Sequence, residues 1–155
     1  MTQSELQVVC ALRGGLECRK TFSRAIALAL QMDRPLTLFH VVDVEFLRGI
    51  TLGSLKVVRQ ELEKMSATIL ALLRDSALER GVRDVNVEIR AGQFREQLQE
   101  FLRENRVAVL VMGYPVIGSP GSNTFTPEEF EAFVRHIQAQ WGVPVEMVAA
   151  DAPSC

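Results

Sequence analysis

The segment VAVLVMG (107–113) decides how this chain folds, because it is the most hydrophobic stretch of the 155 residues. A continuous apolar run of this length is typical of a strand that is buried on both faces of a parallel sheet. We therefore place it at the centre of a sheet. The segment LQVVCAL (6–12) has the same character and ends at a pair of glycines.

Strand and helix patterns alternate outward from these two segments. The predicted strands are 6–12, 35–44, 84–91, 107–113 and 143–150, and the predicted helices are 17–32, 54–80, 93–105 and 127–140. This alternation predicts a single α/β domain over residues 1–155, with a five-stranded parallel sheet in the order 3-2-1-4-5 and helices on both faces.

The helix predicted over 54–80 has the clearest pattern in the chain. Its apolar positions step by three and four residues through Leu55, Val58, Leu62, Met65, Ile69 and Leu72. This spacing is typical of the apolar face of an amphipathic helix. Gly81 follows the pattern, as glycine often does after the last turn of a helix.

Composition and charge exclude several classes of protein. A net charge of −2 gives no basic surface for nucleic acid. No apolar run reaches the ~20 residues that a membrane span needs, and the start MTQSELQVV does not have the pattern of a signal peptide. Three cysteines (Cys10, Cys18 and Cys155) are too few and too scattered for a disulfide framework. We expect a cytoplasmic protein.

Ligands of doubly wound sheets bind beyond the carboxyl ends of the strands, where the strand order reverses. In the predicted order that point lies between the first and fourth strands. The candidate ligand-binding residues at these strand ends are Leu12, Arg13, Gly14, Val42, Asp43, Met112, Gly113 and Tyr114.

The loop GYPVIGSPGSNTFTPEE (113–129) has the composition of a phosphate-binding loop. Its end, however, predicts a helix start that is already capped. Thr126 is expected as N-cap, Pro127 as the first helical residue, and Glu129 as the partner that closes a capping box. The first turn is thus acidic, and no lysine follows as in a Walker loop. We favour a structural loop over a modified anion-binding loop.

Three of the candidate side chains each allow two interpretations. Arg13 is an anion ligand or the partner of Glu17 in an ion pair, and we favour the ion pair. Asp43 binds a ligand hydroxyl or caps a turn. Tyr114 stacks on a flat ligand or fills the pocket itself, and we favour the filled pocket.

The remaining reactive residues predict neither a metal site nor a catalytic set. Cys18 lies near a helix N-terminus and two cations, which lower a thiol pKa, yet a lone cysteine there is more often inert. Cys10 and His40 are expected in the core. His136 has no metal-ligand spacing to His40. We expect no metal and no enzyme activity.

Several segments together resemble the universal stress protein family over nearly the whole chain. They are the glycine turn after the first strand, the long second helix, and the sequences LTLFHVVD (36–43), AGQFREQL (91–98), VLVMG (109–113) and VPVEMV (143–148). The resemblance implies a flavodoxin-like fold. It also implies a homodimer, here paired along the last strand, Val143–Ala149.

This chain departs from the nucleotide-binding members of that family at two places. Those members carry an aspartate at the end of the first strand, where this chain has Arg13. Their fourth-strand loop is spelled Gly, two residues, Gly, nine residues, Gly, then Ser or Thr. Here Gly113 matches, but Val116 and Thr126 stand at the next two glycine positions. We therefore expect no ATP or AMP cofactor.

The predicted function is a regulatory, stress-associated protein that acts through dimerisation and protein contacts. The alternative is a small-ligand sensor that binds a nucleotide or an anionic metabolite between Arg13, Asp43 and Tyr114.

Overall fold

The computed structural model describes residues 5–12, 19–43, 52–115 and 125–149, with the side chains of 43 and 52–55 left out. The described residues form five strands and four helices in strict alternation. In chain order these are β1 (Gln7–Leu12), α1 (Arg19–Met32), β2 (Leu36–Asp43), α2 (Leu52–Glu79), β3 (Val85–Gly92), α3 (Phe94–Glu104), β4 (Val107–Gly113), α4 (Pro127–Trp141) and β5 (Val145–Val148).

The sheet has the order β3-β2-β1-β4-β5, and all of its neighbouring strands are parallel. This confirms the predicted fold class. β1 lies in the middle, and all six of its residues are buried. β4 covers the 107–113 segment without a shift at either end. Apart from Gln7 at the start of β1, both strands are continuous apolar runs, because helices cover both of their faces.

Alternation along the strands divides the core into two layers. Val9 and Ala11 face helices α3 and α4, whereas Val8, Cys10 and Leu12 face α1 and α2. Successive side chains of a strand point to opposite faces of the sheet, so each central strand contributes to both layers.

Helix α2 differs from its sequence pattern in which residues it buries. Met65 and Leu72, both in the predicted apolar face, are 59% and 65% exposed. The fully buried positions are instead Leu70 and Ala77, with Ser66 nearly so. The sheet therefore contacts a face rotated away from the predicted one. Because α2 has apolar residues over a wide arc, its sequence does not determine which of them contact the sheet.

The structure also differs from the sequence prediction at the end of helix α1 and in the length of the last strand. Leu30, which follows the helical spacing of α1, is 46% exposed. β5 contains four residues, fewer than the eight predicted over 143–150. The αL conformation of Gly142 (φ 65°) ends α4, and Pro144 precedes β5. These residues delay the start of the last strand, because proline cannot donate a ladder hydrogen bond.

Candidate functional site

The candidate site lies at the carboxyl edge of the sheet, where β1 and β4 end side by side. In the ladder, Ala11 pairs with Met112 and Leu12 pairs with His40. Leu12, Val42 and Met112 are all 4% exposed or less. Leu12 belongs to the α1/α2 layer and Met112 to the α3/α4 layer. The side chains of Leu12, Val42 and Met112 therefore lie buried beneath the candidate site, with Leu12 and Met112 on opposite faces of the sheet. We call these three residues the floor of the site.

Other candidates lie partly or wholly outside the described residues. Arg13, Gly14 and Cys18 belong to the segment between β1 and α1 that is not described. Asp43 ends β2, and its backbone pairs with Gly92 of β3, but its side chain is not described. The predicted roles of Arg13, Gly14 and Asp43 stay predictions.

Tyr114 immediately follows β4, and its described contacts hold it against helix α4. Its ring packs edge-on against Phe130, with ring centroids 5.0 Å apart. The hydroxyl donates to the carboxylate of Glu131, and the backbone N–H donates to the carbonyl of Val148 at 2.8 Å. The hydrogen bond to Glu131 raises the pKa of the phenol. The side chain thus joins the end of β4 to the helix beyond the loop.

The start of α4 is capped as the sequence predicts. The Glu129 N–H donates to Thr126 Oγ1 at 3.1 Å, and the Thr126 N–H donates to Glu129 Oε1 at 3.2 Å. Pro127 occupies the first helical position. The capping box satisfies one helical donor and the N-cap N–H, and proline removes another donor. Fewer free donors remain for an anion at this helix terminus.

Arg95 is a residue of this edge that no sequence pattern indicated. Its Nη2 donates to Glu129 Oε2 at 3.0 Å, and its guanidinium lies 4.5 Å from the ring centroid of Phe125. The hydrogen bond from Arg95, followed by those from Thr126, lowers the pKa of Glu129. Arg95 and Glu129 are 34 residues apart, and no local motif links them. One of the two carboxylates at this terminus is therefore paired with a cation.

His40 is buried in β2, as predicted for a hydrogen-bonded core residue. It is 6% exposed, and its Nδ1 lies 2.9 Å from the carbonyl oxygen of Leu12. Burial lowers the pKa of the imidazole, which the hydrogen bond to Leu12 only partly opposes. In the neutral ring the Nδ1–H tautomer donates to that carbonyl. His40 thereby fixes the last residue of β1 to β2.

The other reactive groups of the described residues offer no chemistry at this edge. Cys10 is fully buried in β1, and burial raises the pKa of its thiol to about 12. The ring of His136 packs edge-on against the ring of Trp141, with the ring centroids 6.0 Å apart. Within the described ranges, no three His, Cys, Asp or Glu side chains are grouped as metal ligands would be. Nor does any helix there combine the length and hydropathy of a membrane span.

The parallel order 3-2-1-4-5, with its reversal between β1 and β4, defines a flavodoxin-like α/β protein. The family model described as the universal stress protein family matches residues 6–121. The chain belongs to this family.

Solved structures share the fold at low sequence identity. The universal stress protein UspA from Lactobacillus plantarum is 13% identical, with a TM-score of 0.66, over 97% of this chain and 100% of that one. An Arabidopsis thaliana family protein with AMP bound is 17% identical, with a TM-score of 0.63, over 96% and 94%. A universal stress protein in complex with cAMP is 14% identical, with a TM-score of 0.61, over 94% and 98%. No curated protein matches the chain.

Proposed function

We propose that this chain is a regulatory stress-response protein that acts through dimerisation and protein contacts, and that it does not hold ATP in the family's usual loop. The observation that carries the proposal is the closed first turn of α4. Thr126 and Glu129 bond each other there, and Arg95 pairs with Glu129. A triphosphate at this terminus would compete with Glu129 for Arg95 and would meet Glu128 as a second carboxylate.

The proposal includes a cytoplasmic location and no catalytic activity. Cys10 and His40 are the chemically reactive side chains in the central strands, and both are buried. A thiol with a raised pKa is a poor nucleophile. The His40 Nδ1 is occupied by a backbone carbonyl, so this residue has a structural role in the strand.

The dimer is proposed to form along the last strand, Val143–Ala149. β5 is an edge strand of the sheet. The carbonyl of Pro144 accepts a hydrogen bond from Leu110 of β4, and that of Val148 accepts one from Tyr114, the residue that follows β4. Because alternate residues of a parallel strand point their backbone groups to opposite sides, those of Val145 and Met147 point to the open edge. An open edge of this kind is a template for a second strand.

Sedimentation velocity at tens of micromolar tests the dimer. We expect about twice the chain mass of 17.3 kDa. Met147→Pro removes an N–H from the open side of β5 and leaves the ladder to β4 intact, so it should give a monomer. Met147→Ala is the matched control and should remain dimeric. A wild-type monomer at this concentration would overturn the dimer proposal.

The alternative function is a small-ligand sensor at the carboxyl edge. Relatives in the fold with AMP and cAMP bound favour it. In this chain it would use the floor residues Leu12, Val42 and Met112, with Gly113 and Tyr114 from the end of β4, and with Arg13, Gly14 and Asp43.

Isothermal titration calorimetry with ATP, AMP, cAMP and inorganic phosphate separates the two functions. The primary proposal expects no ATP binding in the micromolar range. Micromolar ATP binding that is lost in Arg13→Ala, and kept in the control Arg19→Ala on exposed α1 surface, would overturn it. Binding of AMP, cAMP or phosphate without ATP, with the same dependence on Arg13, would establish the sensor instead.

A further inference from the structure

Helix α2 carries most of the large apolar side chains that the described residues expose to solvent. Seven such side chains are exposed in the described ranges, and four of them lie on this one helix, namely Val57, Met65, Leu72 and Leu78. Exposed apolar residues that are concentrated in one place are typical of a surface that binds another molecule. The solvent side of α2 is therefore a candidate docking surface.

The side of α2 that points away from the sheet has small residues in its middle. The sheet side is marked by the buried residues Ser66, Leu70 and Ala77. With about 3.6 residues per turn, the opposite side consists of residues spaced three and four apart. In the middle of the helix these are Lys64, Thr68, Ala71 and Asp75, and all four are exposed. We call these four residues the outer face of α2. The two small residues at its centre allow a second helix to approach closely.

The two charges of the outer face lie symmetrically about these small residues. Lys64 precedes Thr68 by four residues, and Asp75 follows Ala71 by four residues. Asp75 has no ion pair within 4.0 Å in the described part of the chain. Lys64 Nζ donates to Glu61 at 3.4 Å, in a pair whose side chains are 73% and 62% exposed. An ammonium group has three N–H donors, so Lys64 can bind a second carboxylate beside Glu61.

This arrangement makes the outer face complementary to itself in one orientation. An antiparallel α2 of a second copy can cross the outer face with Thr68 against Ala71 of that copy. In this register Lys64 lies opposite Asp75 of the second copy, and the two-fold axis repeats the pair at the other end of the contact. A parallel arrangement would place Lys64 opposite Lys64 and Asp75 opposite Asp75, which is repulsive. The charges therefore favour a second copy in the antiparallel orientation.

The same orientation covers the two most exposed apolar side chains of α2. Met65 and Leu72 lie seven residues apart on one flank of the outer face, and they are 59% and 65% exposed. In an antiparallel pair of helices, Leu72 meets Met65 of the second copy on this flank, and the two-fold axis repeats the contact. The apolar contacts thus support the register that the charges favour.

We propose that the outer face of α2 binds the outer face of α2 of a second copy in an antiparallel, two-fold symmetric contact. A single pair of helices buries less surface than a stable dimer needs, so the contact is weak, with a dissociation constant on the order of 0.5 mM. It uses a different surface from β5 and does not depend on the function proposed above. A chain that also pairs along β5 has two self-complementary surfaces and forms larger assemblies at high concentration.

Sedimentation equilibrium of the full chain, from about 20 μM to about 1 mM, tests the contact. The parent protein is Met147→Pro, which removes any contribution of the β5 edge, and its average mass should rise from one chain toward two. Lys64→Asp and Asp75→Lys each place like charges opposite one another and should weaken the association by about tenfold. The double variant exchanges the two partners and should restore the association to within about threefold of the parent. If no β5 contact exists, wild type and Met147→Pro behave alike, and this comparison is unaffected.

A matched substitution on the other face of the sheet controls for net charge. Arg103→Asp changes the net charge by the same amount as Lys64→Asp, at an exposed position of α3, and should leave the association unchanged. Leu72→Ala should weaken it by about fivefold. A constant mass up to the highest concentration, or charge variants that associate as the parent does, would overturn the proposal. A double variant that stays as weak as the single variants would refute the pairing of Lys64 with Asp75.

Discussion

The two faces of the sheet are packed with different kinds of side chain. The layer under α3 and α4 contains six of the eight phenylalanines of the chain, namely Phe39, Phe94, Phe101, Phe125, Phe130 and Phe133. The layer under α1 and α2 contains Phe22 as its aromatic residue and otherwise aliphatic side chains, with alanines at Ala25, Ala29 and Ala77. Helices α3 and α4 thus pack on the sheet through large aromatic rings, whereas α1 and α2 pack on it through aliphatic side chains and closely approaching alanines.

The aromatic layer reaches the candidate site through Tyr114, Phe125 and Phe130, and the aliphatic layer reaches it through Leu12. Phe125 packs against Phe94, Phe130 and Phe133 at 5.2–6.0 Å, and it carries the guanidinium of Arg95 on its ring. The polar contacts that close the start of α4 therefore rest on a rigid aromatic support. The comparison teaches that the contacts closing the start of α4 come from the α3/α4 side, whereas the apolar floor of the site comes from both faces of the sheet.

The largest expected effect comes from emptying the aromatic layer. Phe130 is fully buried between Tyr114 and Phe125, and we expect Phe130→Ala to cost about 4 kcal/mol of unfolding free energy. Leu70→Ala, at a fully buried position of the aliphatic layer, should cost about 3 kcal/mol. Urea unfolding followed by circular dichroism measures both. A larger loss of unfolding free energy for Leu70→Ala than for Phe130→Ala would contradict the greater contribution of the aromatic layer.

The next effect tests the cap that the aromatic layer supports. Thr126→Ala removes the N-cap oxygen of α4, which should cost about 1 kcal/mol. Thr68→Ala is the matched change on α2, where the hydroxyl donates only to the Lys64 carbonyl within the helix. Alanine is the better helix former, so that variant should be neutral or slightly stabilised. Equal losses in the same unfolding measurement would show that the cap has no special role.

The Arg95–Glu129 pair gives the same edge a pH dependence. The pKa of Glu129 is lowered in the folded state from its ordinary value of 4.5. Its stabilisation is therefore fully present above pH 4.5 and is lost as the pH falls through the lowered value. The unfolding free energies of wild type and Glu129→Gln should differ at pH 7, and the difference should shrink as the pH falls below 4.5. Glu63→Gln on α2, an exposed i,i+4 pair with Arg59, should differ little from wild type at pH 7.

The smallest expected effect concerns the exposed apolar residues of α2. Leu72→Ala should change the unfolding free energy by less than about 0.5 kcal/mol, because this side chain is 65% exposed. The same substitution two residues earlier, Leu70→Ala, is the internal standard. If Leu72→Ala costs as much as Leu70→Ala, the predicted apolar face of α2 is buried in solution, and a partner molecule covers it.

Local patterns were sufficient to predict most of the fold. The run 107–113 became β4 with its ends unchanged, because a continuous apolar run is typical of a strand that is buried on both faces. The α4 capping box was predictable because Thr126 and Glu129 lie three residues apart and bond within one turn. The end of α2 was also predictable from a local signal. Gly81 lies just after the helix with φ 104°, a conformation that glycine adopts more easily than other residues.

Contacts between distant segments were not predictable from the sequence. The pairs Arg95–Glu129 and Tyr114–Glu131 join residues from different elements, and their distances depend on how α3 and α4 pack. The apolar face of α2 was misplaced because the sequence offers more apolar positions than the sheet can cover. The predicted roles of Arg13 and Gly14 lie outside the described residues, so they await the calorimetric test.

The central position of β1 has a consequence for synthesis of the chain. β1 pairs on one side with β2, which ends at residue 43, but on the other side with β4, which ends at residue 113. A ribosome needs about 4 to 14 s to add those 70 residues at roughly 5–20 residues per second. Throughout that interval a strand whose residues are all buried in the folded protein has an unpaired edge. Nascent chains that stop before Val107 therefore expose an aggregation-prone strand to the chaperones of the cell.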